Sequence, residues 1–277
     1  MRGTSSACKI WAFTLSFGIG LARFAYAEEA ALPTENPWTL DINTKIKASV
    51  LRSSESNASR SLGAELQAGY SWASGQVIDL DLVGSKQLTQ DELWIFSRAT
   101  LSNTSSFDIL PALAGQVGVA YELPVNKDTL RYDDFRGALG TFGGVTYRLN
   151  SGEHSVKLNA QFSLDRNFYA YSSNQGGTPL PREAITQLYR LVYSYRKVWV
   201  ASISFTDSIA RDFSGERFDD EYSLVESLAY RWDSQWNFQV GHTNNGNTFD
   251  YNGVAGNVKA YDRDTSQVYL GVQYSVF

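Results

Sequence analysis

Strict alternation of apolar and polar residues, held in phase over long segments, constrains this chain more than any other feature. From Trp38 to Val50 the even positions Trp38, Leu40, Ile42, Ile46, Ala48 and Val50 are apolar, and the odd positions Asp41, Asn43, Lys45, Lys47 and Ser49 are polar. Leu62 to Trp72 repeats the pattern: Leu62, Ala64, Leu66, Ala68, Tyr70 and Trp72 lie opposite Gly63, Glu65, Gln67, Gly69 and Ser71. From His154 to Asp165, Val156, Leu158, Ala160, Phe162 and Leu164 alternate with Ser155, Lys157, Asn159, Gln161, Ser163 and Asp165. A period of two is the repeat of a strand with two unlike faces; a helix would scatter these apolar residues around its circumference. The final segment behaves alike. Val268, Leu270, Val272, Tyr274 and Val276 are apolar, Tyr269, Gly271, Gln273 and Ser275 lie between them, and Phe277 closes the chain.

Shorter or less regular segments carry the same signal at Ile78 to Ser85, Leu93 to Leu101, Leu113 to Leu123 and Arg136 to Leu149. It continues at Ile185 to Tyr195, Val198 to Phe205, Tyr222 to Trp232 and Trp236 to His242. Together these predict twelve strands. Two carry internal conflicts. Trp94 and Phe96 compete with Leu93 and Ile95 for the apolar face, and Glu226 shares the phase of Leu224, Leu228 and Tyr230. A bulge or a reversed register at Glu226 would relieve the second conflict. Connections alternate in length. Ala73-Ser74-Gly75, Asn150 to Glu153, Arg196-Lys197 and Asp233-Ser234 have the chemistry of tight turns. Longer polar stretches run from Ser53 to Arg60, Pro124 to Asp134, Ser172 to Arg182, Ile209 to Asp220 and Asn244 to Ser266.

The first 27 residues have the pattern of a secretory signal. Arg2 and Lys9 precede an apolar run from Ile10 to Leu21, and Ala25-Tyr26-Ala27 supplies a small-x-small cleavage site ahead of Glu28. Cys8, the one cysteine, lies before that run and leaves with it, so the mature chain has no disulfide and no cysteine metal site. With two histidines besides, no metal centre and no cofactor is expected. Loss of Arg2, Lys9 and Arg23 takes the formal net charge from −5 to about −8. An acidic exported chain is a poor partner for nucleic acid. No second long apolar run exists, which excludes helical membrane spans but not strands, since only alternate strand residues face lipid.

Alternating segments of this length, short turns against long loops, an export signal and an aromatic final residue resemble the bacterial outer-membrane β-barrel proteins, porin-like in character. The resemblance implies an all-β, antiparallel transmembrane β-barrel of about 12 strands with the N- and C-termini periplasmic. Residues 1–27 are then the signal, 28–37 a short leader, and 38–277 the barrel. Outer-membrane lipid and lipopolysaccharide, the barrel-assembly machinery and small hydrophilic solutes are the implied partners. One departure stands: Phe277 is out of step with Val276 and Tyr274, whereas the terminal aromatic of this class usually shares the lipid-facing phase. The aromatics fit the resemblance. Trp38, Trp72, Trp199, Trp232 and Trp236, with Tyr147, Tyr195 and Tyr274, all fall beside the chain's start, its end or a short turn, as a girdle at one membrane interface requires.

The predicted inner face carries the remaining chemistry. Lys45, Lys47, Arg98, Arg136, Arg148, Lys157, Arg190, Arg196 and Arg231 point inward by phase, against Asp41, Glu65, Asp79, Asp81 and Asp165. Twelve strands lie between barrels filled by side chains and barrels with wide channels, so a narrow charged passage is expected, weakly favouring anions or acidic sugars. Inward salt bridges that simply fill the barrel, giving a non-conducting structural or surface-binding protein, are the alternative. A third reading is a lipid-active hydrolase. His242, in Gly241-His242-Thr243-Asn244, would need a hydroxyl two residues away to share its face, and Asn244 stands there; His154 has Ser155 beside it, on the opposite face. No catalytic residue is assigned. The acidic stretches Asp212 to Glu221 and Asp250 to Asp264 lack the ligand spacing of a calcium loop.

Overall fold

A strand in hydrocarbon must pair both of its edges, because no water is available to an open one. Twelve antiparallel strands satisfy this by closing on themselves. The computed structural model describes residues 36–51, 58–88, 94–249 and 256–276. The signal segment with Cys8, residues 28–35 of the leader and Phe277 lie outside the described residues. The strands are β1 (Trp38–Ser49), β2 (Arg60–Ala73), β3 (Gln76–Gln87), β4 (Ile95–Leu110), β5 (Leu113–Leu123) and β6 (Phe135–Ser151). They continue with β7 (His154–Tyr169), β8 (Pro181–Tyr195), β9 (Trp199–Asp212), β10 (Glu221–Arg231), β11 (Trp236–Asn247) and β12 (Gln267–Ser275). Each pairs with its sequence neighbours, and β1 pairs with β12 from Asp41↔Ser275 to Ser49↔Gln267. At that seam the Asp41 carboxylate accepts a hydrogen bond from the Ser275 hydroxyl.

Trp38 and Ser275 lie at the end of the barrel that holds the tight turns, and the longer connections gather at the other end. The turn after β8 shows how the sequence sets one of these corners. Arg196 and Lys197 are successive left-handed residues (φ 54° and 56°), and Arg196 Nε donates to Glu153 Oε2 of the neighbouring turn at 2.8 Å. At the long-loop end a one-turn helix, α1 (Lys127–Tyr132), is capped by Asn126, whose side chain accepts from the backbone of Asp128 and Thr129. Its last carbonyls are met by the β7–β8 loop: Gln175 donates from its backbone to Tyr132 O and from its amide to Arg131 O.

Bulges resolve one conflict of the sequence pattern and leave the other standing. Val83 pairs with Arg98 while Gly84 pairs with Phe96, so Ser97 is an extra residue in β4. Before it Trp94 and Phe96 face outward; beyond it Arg98, Thr100 and Ser102 face inward and Leu101 outward. No bulge interrupts β10, where the register with β9 and β11 is continuous and Glu226 faces outward with Leu228. β4 also runs nine residues past the predicted end at Leu101, to a tight turn at Pro111-Ala112. The outward positions there include Asn103 and Ser105, which erase the hydropathy signal; Ser105 Oγ instead bonds Gln76 Oε1 across the strands at 2.8 Å.

Candidate functional site

The inner wall is built mainly from the polar phase of the strands, with Phe135 and Ala138 of β6 and Ala184 and Leu188 of β8 as apolar members. Lys45, Lys47, Glu65, Asp79, Asp81, Arg98, Arg148, Lys157, Asp165, Arg190 and Arg231 all occupy inward positions. Two expected members do not. Arg136 occupies the extra position of a bulge between Phe135 and Gly137, and is exposed there. Gly137 adopts φ +128°, and a Cβ on it would lie 2.5 Å from the Tyr121 hydroxyl, so this corner of β6 needs glycine and throws Arg136 out of phase. Arg196 sits in the β8–β9 turn and is held by Glu153. One inward acid was missed: Glu122 on β5, opposite the outward phase of Val117, Val119 and Tyr121. Its signal was present in the alternation of Leu113 to Leu123. With Arg136 and Arg196 outside and Glu122 inside, the expected basic excess shrinks toward parity.

A cavity of about 640 Å³ runs through the barrel. At the short-turn end it is bordered by Asp41, Ser106, Arg231, Gln235 and Ser275; Asp79, Asp81, Arg98, Gln116 and Gln161 line its middle; Glu122, Asp165, Asn126 and Tyr169 border it toward the long loops. Arg98 Nη2 donates to Asp81 Oδ2 at 2.8 Å with both side chains nearly buried, so this base and acid largely cancel. Neutral side chains tie the rest together: Gln116 Nε2 to Gln161 Oε1 at 3.2 Å, Asn159 Nδ2 to Thr146 Oγ1 at 2.9 Å, Asn237 Nδ2 to Gln273 Oε1 at 3.3 Å.

Lys45, Lys47, Glu65 and Arg190 do not border this cavity. Lys45 Nζ lies 5.9 Å from the centre of the Tyr269 ring, a cation–π contact. That ring lies against Gly241, where any Cβ would collide with it. Glu65 accepts from Gln67 and from Asn43 Nδ2 at 3.4 Å. Arg190 Nη2 reaches Ser202 Oγ at 3.5 Å, and Ser202 bonds Ser227 at 2.8 Å. The lumen thus has a filled sector around Lys45, Tyr269 and Arg190 and an open sector lined mainly by acids and neutral groups.

Outside, the structure places Trp38, Trp72, Tyr147, Tyr195, Trp199, Trp232, Trp236 and Tyr274 on the outer surface at the short-turn end. Several meet as cross-strand neighbours: Trp38 with Tyr70, ring centres 4.5 Å apart, Trp199 with Tyr230 at 4.7 Å, and Trp236 with Tyr274 at 4.7 Å. Such pairs contribute about 0.5–1.5 kcal/mol each beyond their buried area. Trp94 and Phe96 face outward at the opposite rim. His242 also faces outward. Its Nδ1 lies 3.7 Å from Glu226 Oε2; Thr243 points to the lumen, and Asn244 shares the face of His242. His154 bonds the Tyr193 hydroxyl at 2.7 Å.

A closed antiparallel barrel with a polar lumen, an apolar outer wall and an aromatic ring at one end has the fold of the outer-membrane porins. Among solved structures it is similar to the NanC porin, with 10% identity over 85% of this chain and 98% of that one and a TM-score of 0.55. It is likewise similar to an outer membrane channel from Pseudomonas putida F1, with 9% identity over 90% of this chain and 98% of that one and a TM-score of 0.56. The sequence matches no protein-family model and no curated protein.

Proposed function

We propose that this chain is a passive channel of the bacterial outer membrane, passing small hydrophilic solutes through a narrow charged lumen. The cavity of about 640 Å³ that reaches from the tight turns to the long loops carries the reading, because charged and amide side chains border it at both ends and in its middle. The similarity in fold to the NanC porin and to the Pseudomonas putida channel supports the location and the role. In this reading the tight turns and both strand termini face the periplasm, residues 1–27 direct export, and the girdle sits at the inner interface. Lipopolysaccharide surrounds the long-loop rim, and the barrel-assembly machinery inserts the chain. The working residues are wall groups that hold water and bias ions, so the protein is a conduit and not a catalyst. Near-parity of wall charge implies weak selectivity, with the acids of the open sector opposing any anion preference from Lys45, Lys47 and Arg190.

Planar-bilayer recording on the purified, folded protein tests this: discrete conductance steps are expected, and their absence sinks the channel. The filled sector around Lys45, Tyr269 and Arg190 favours a second reading, a non-conducting barrel whose loops bind a partner. A silent bilayer together with a fully folded barrel would select it.

A further inference from the structure

Four arginines that the channel does not use gather outside the barrel at its long-loop rim. Arg136 of β6 and Arg182 of β8 are the extra residues of two bulges, one on either side of β7. Regular phase would send both into the lumen, with Ala138 and Ala184; neither borders the cavity. Between them Arg166 of β7 faces outward, in one register row with Leu139, Glu183 and Arg211 of β9. Neighbouring strands lie about 4.8 Å apart, so side chains as long as these reach common ground.

A single carboxylate, Glu183, stands among the four. Its Oε1 lies 3.6 Å from Arg166 Nη1 and 3.6 Å from Arg182 Nε, and the two arginine side chains remain 53% and 35% exposed. Arg136 and Arg211 are exposed, and their guanidiniums have no partner among the described residues. Asp212, next along β9, is turned into its own loop, where it accepts from the backbone of Ser214 and Glu216 at 2.8 Å each. The row therefore presents a surplus of positive charge.

Its height says what could answer that charge. Glu183 lies twelve residues from Tyr195 of the aromatic ring along β8, and Arg211 twelve from Trp199 along β9. Twelve residues span roughly 40 Å of strand, or about 28 Å of height at a tilt of about 45°, just above an apolar band about 25 Å tall. Leu139, Leu164 and Phe168 lie beside the arginines on the same outer face, apolar and exposed. Guanidiniums next to exposed apolar residues, at the level of headgroups, match a molecule with an anionic head and acyl chains. A soluble anion would leave the apolar residues uncovered.

We propose that Arg136, Arg166, Arg182 and Arg211 bind the phosphorylated headgroup of an outer-leaflet lipid, whose acyl chains run along Leu139, Leu164 and Phe168. This rests on the outer-membrane placement proposed above, with the long loops outside. Guanidinium meets phosphate with paired N–H donors and keeps its charge throughout the physiological range. Glu183 orients Arg166 and Arg182, and Arg136 and Arg211 flank them.

The test titrates the detergent-folded protein with diphosphoryl lipid A, with the same lipid stripped of its phosphates, and with inorganic phosphate. Removal of the phosphates is expected to weaken binding at least tenfold. Arg136→Gln with Arg166→Gln is expected to lose as much for the diphosphoryl lipid and nothing further for the stripped one. Arg60→Gln with Lys86→Gln removes equal charge from outward positions on β2 and β3, and is expected to cost less than twofold. Equal losses from the two double variants, or equal binding of the two lipids by the unaltered protein, would overturn the site. Displacement of the lipid by millimolar inorganic phosphate would assign it to free phosphate and overturn it likewise. The lipid comparison on the unaltered protein decides the matter even where a variant fails to fold. Conductance of Arg136→Gln with Arg166→Gln in phosphatidylcholine bilayers is expected to be unchanged, which separates failure of this site from failure of the channel.

Discussion

Asp81 and Arg98 show how much one buried pair governs in a narrow lumen. Their 2.8 Å contact leaves the open sector with Asp41, Asp79, Glu122 and Asp165 opposed chiefly by Arg231 at one mouth. Replacing Asp81 by Asn strands a nearly buried guanidinium, which costs roughly 3 kcal/mol. The expected outcome is a lower midpoint in urea refolding and a reversal potential shifted toward anions under a salt gradient. Arg98→Gln is expected to shift it the other way. If neither variant moves the reversal potential, the pair lies off the conducting path. Inward residues were legible because phase is strictly binary in a regular strand. Arg136 and Arg196 were misplaced for one reason: each stands where a bulge or a left-handed turn ends the strand's phase, and nothing in local hydropathy marks such a break. Tyr269 was legible as inward, but its contact with Lys45 needs the β1–β12 pairing that closes the barrel, and the space left by Gly241 of β11.

At the scale of elements, the extra residue Ser97 explains how β4 keeps Phe96 on the outer face and Arg98 in the lumen. Deleting Ser97 joins two stretches already on their correct faces, so the variant is expected to fold and keep its heat-modifiable migration on gels. Deleting Thr100 shifts Arg98 toward the lipid face and is expected to abolish folding. Equal behaviour of the two deletions would mean that the bulge does not set these faces. The twelve strands were readable because most segments have one oily face; the far half of β4 was not, since Asn103 and Ser105 face outward, Ser105 bonding Gln76 across the sheet. Glu226 broke the pattern without a bulge, and its outward carboxylate meets His242 of β11 instead. Residues 256–266 of the β11–β12 connection lie against β10 and β11, with Asn244 Nδ2 donating to Lys259 O at 2.7 Å and Tyr261 stacking on His242. Lys259 Nζ donates to Asp262 Oδ2 at 2.7 Å and the Asp264 N–H donates to Oδ1 at 3.0 Å, which together hold the Asp262 carboxyl below its ordinary value. A depressed carboxyl favours the ordered loop above the ordinary carboxylate range, about pH 3.9, and the contribution is lost as pH falls through the lowered value. Hydrogen exchange across 256–266, corrected for intrinsic rate, is expected to quicken in acid, and to be quick at neutral pH in Asp262→Asn.

For the whole molecule, the aromatic ring at the short-turn end predicts a depth. Tryptophan emission from the reconstituted protein is expected to be quenched most by lipids brominated near the headgroup and least by those brominated near the bilayer centre. Strongest quenching from the centre would displace the ring from the interface. The alternation along the chain disclosed a closed sheet, yet closure itself rests on the pairing of its first and last strands, whose linked residues Asp41 and Ser275 stand 234 positions apart. Eleven strands can be laid down in order, each on its predecessor, and still leave two raw margins that hydrocarbon does not tolerate. Stability of this protein is accordingly withheld until the final nine residues of β12 arrive, so that a copy truncated before Gln267 is not a slightly weaker barrel but an unmoored ribbon.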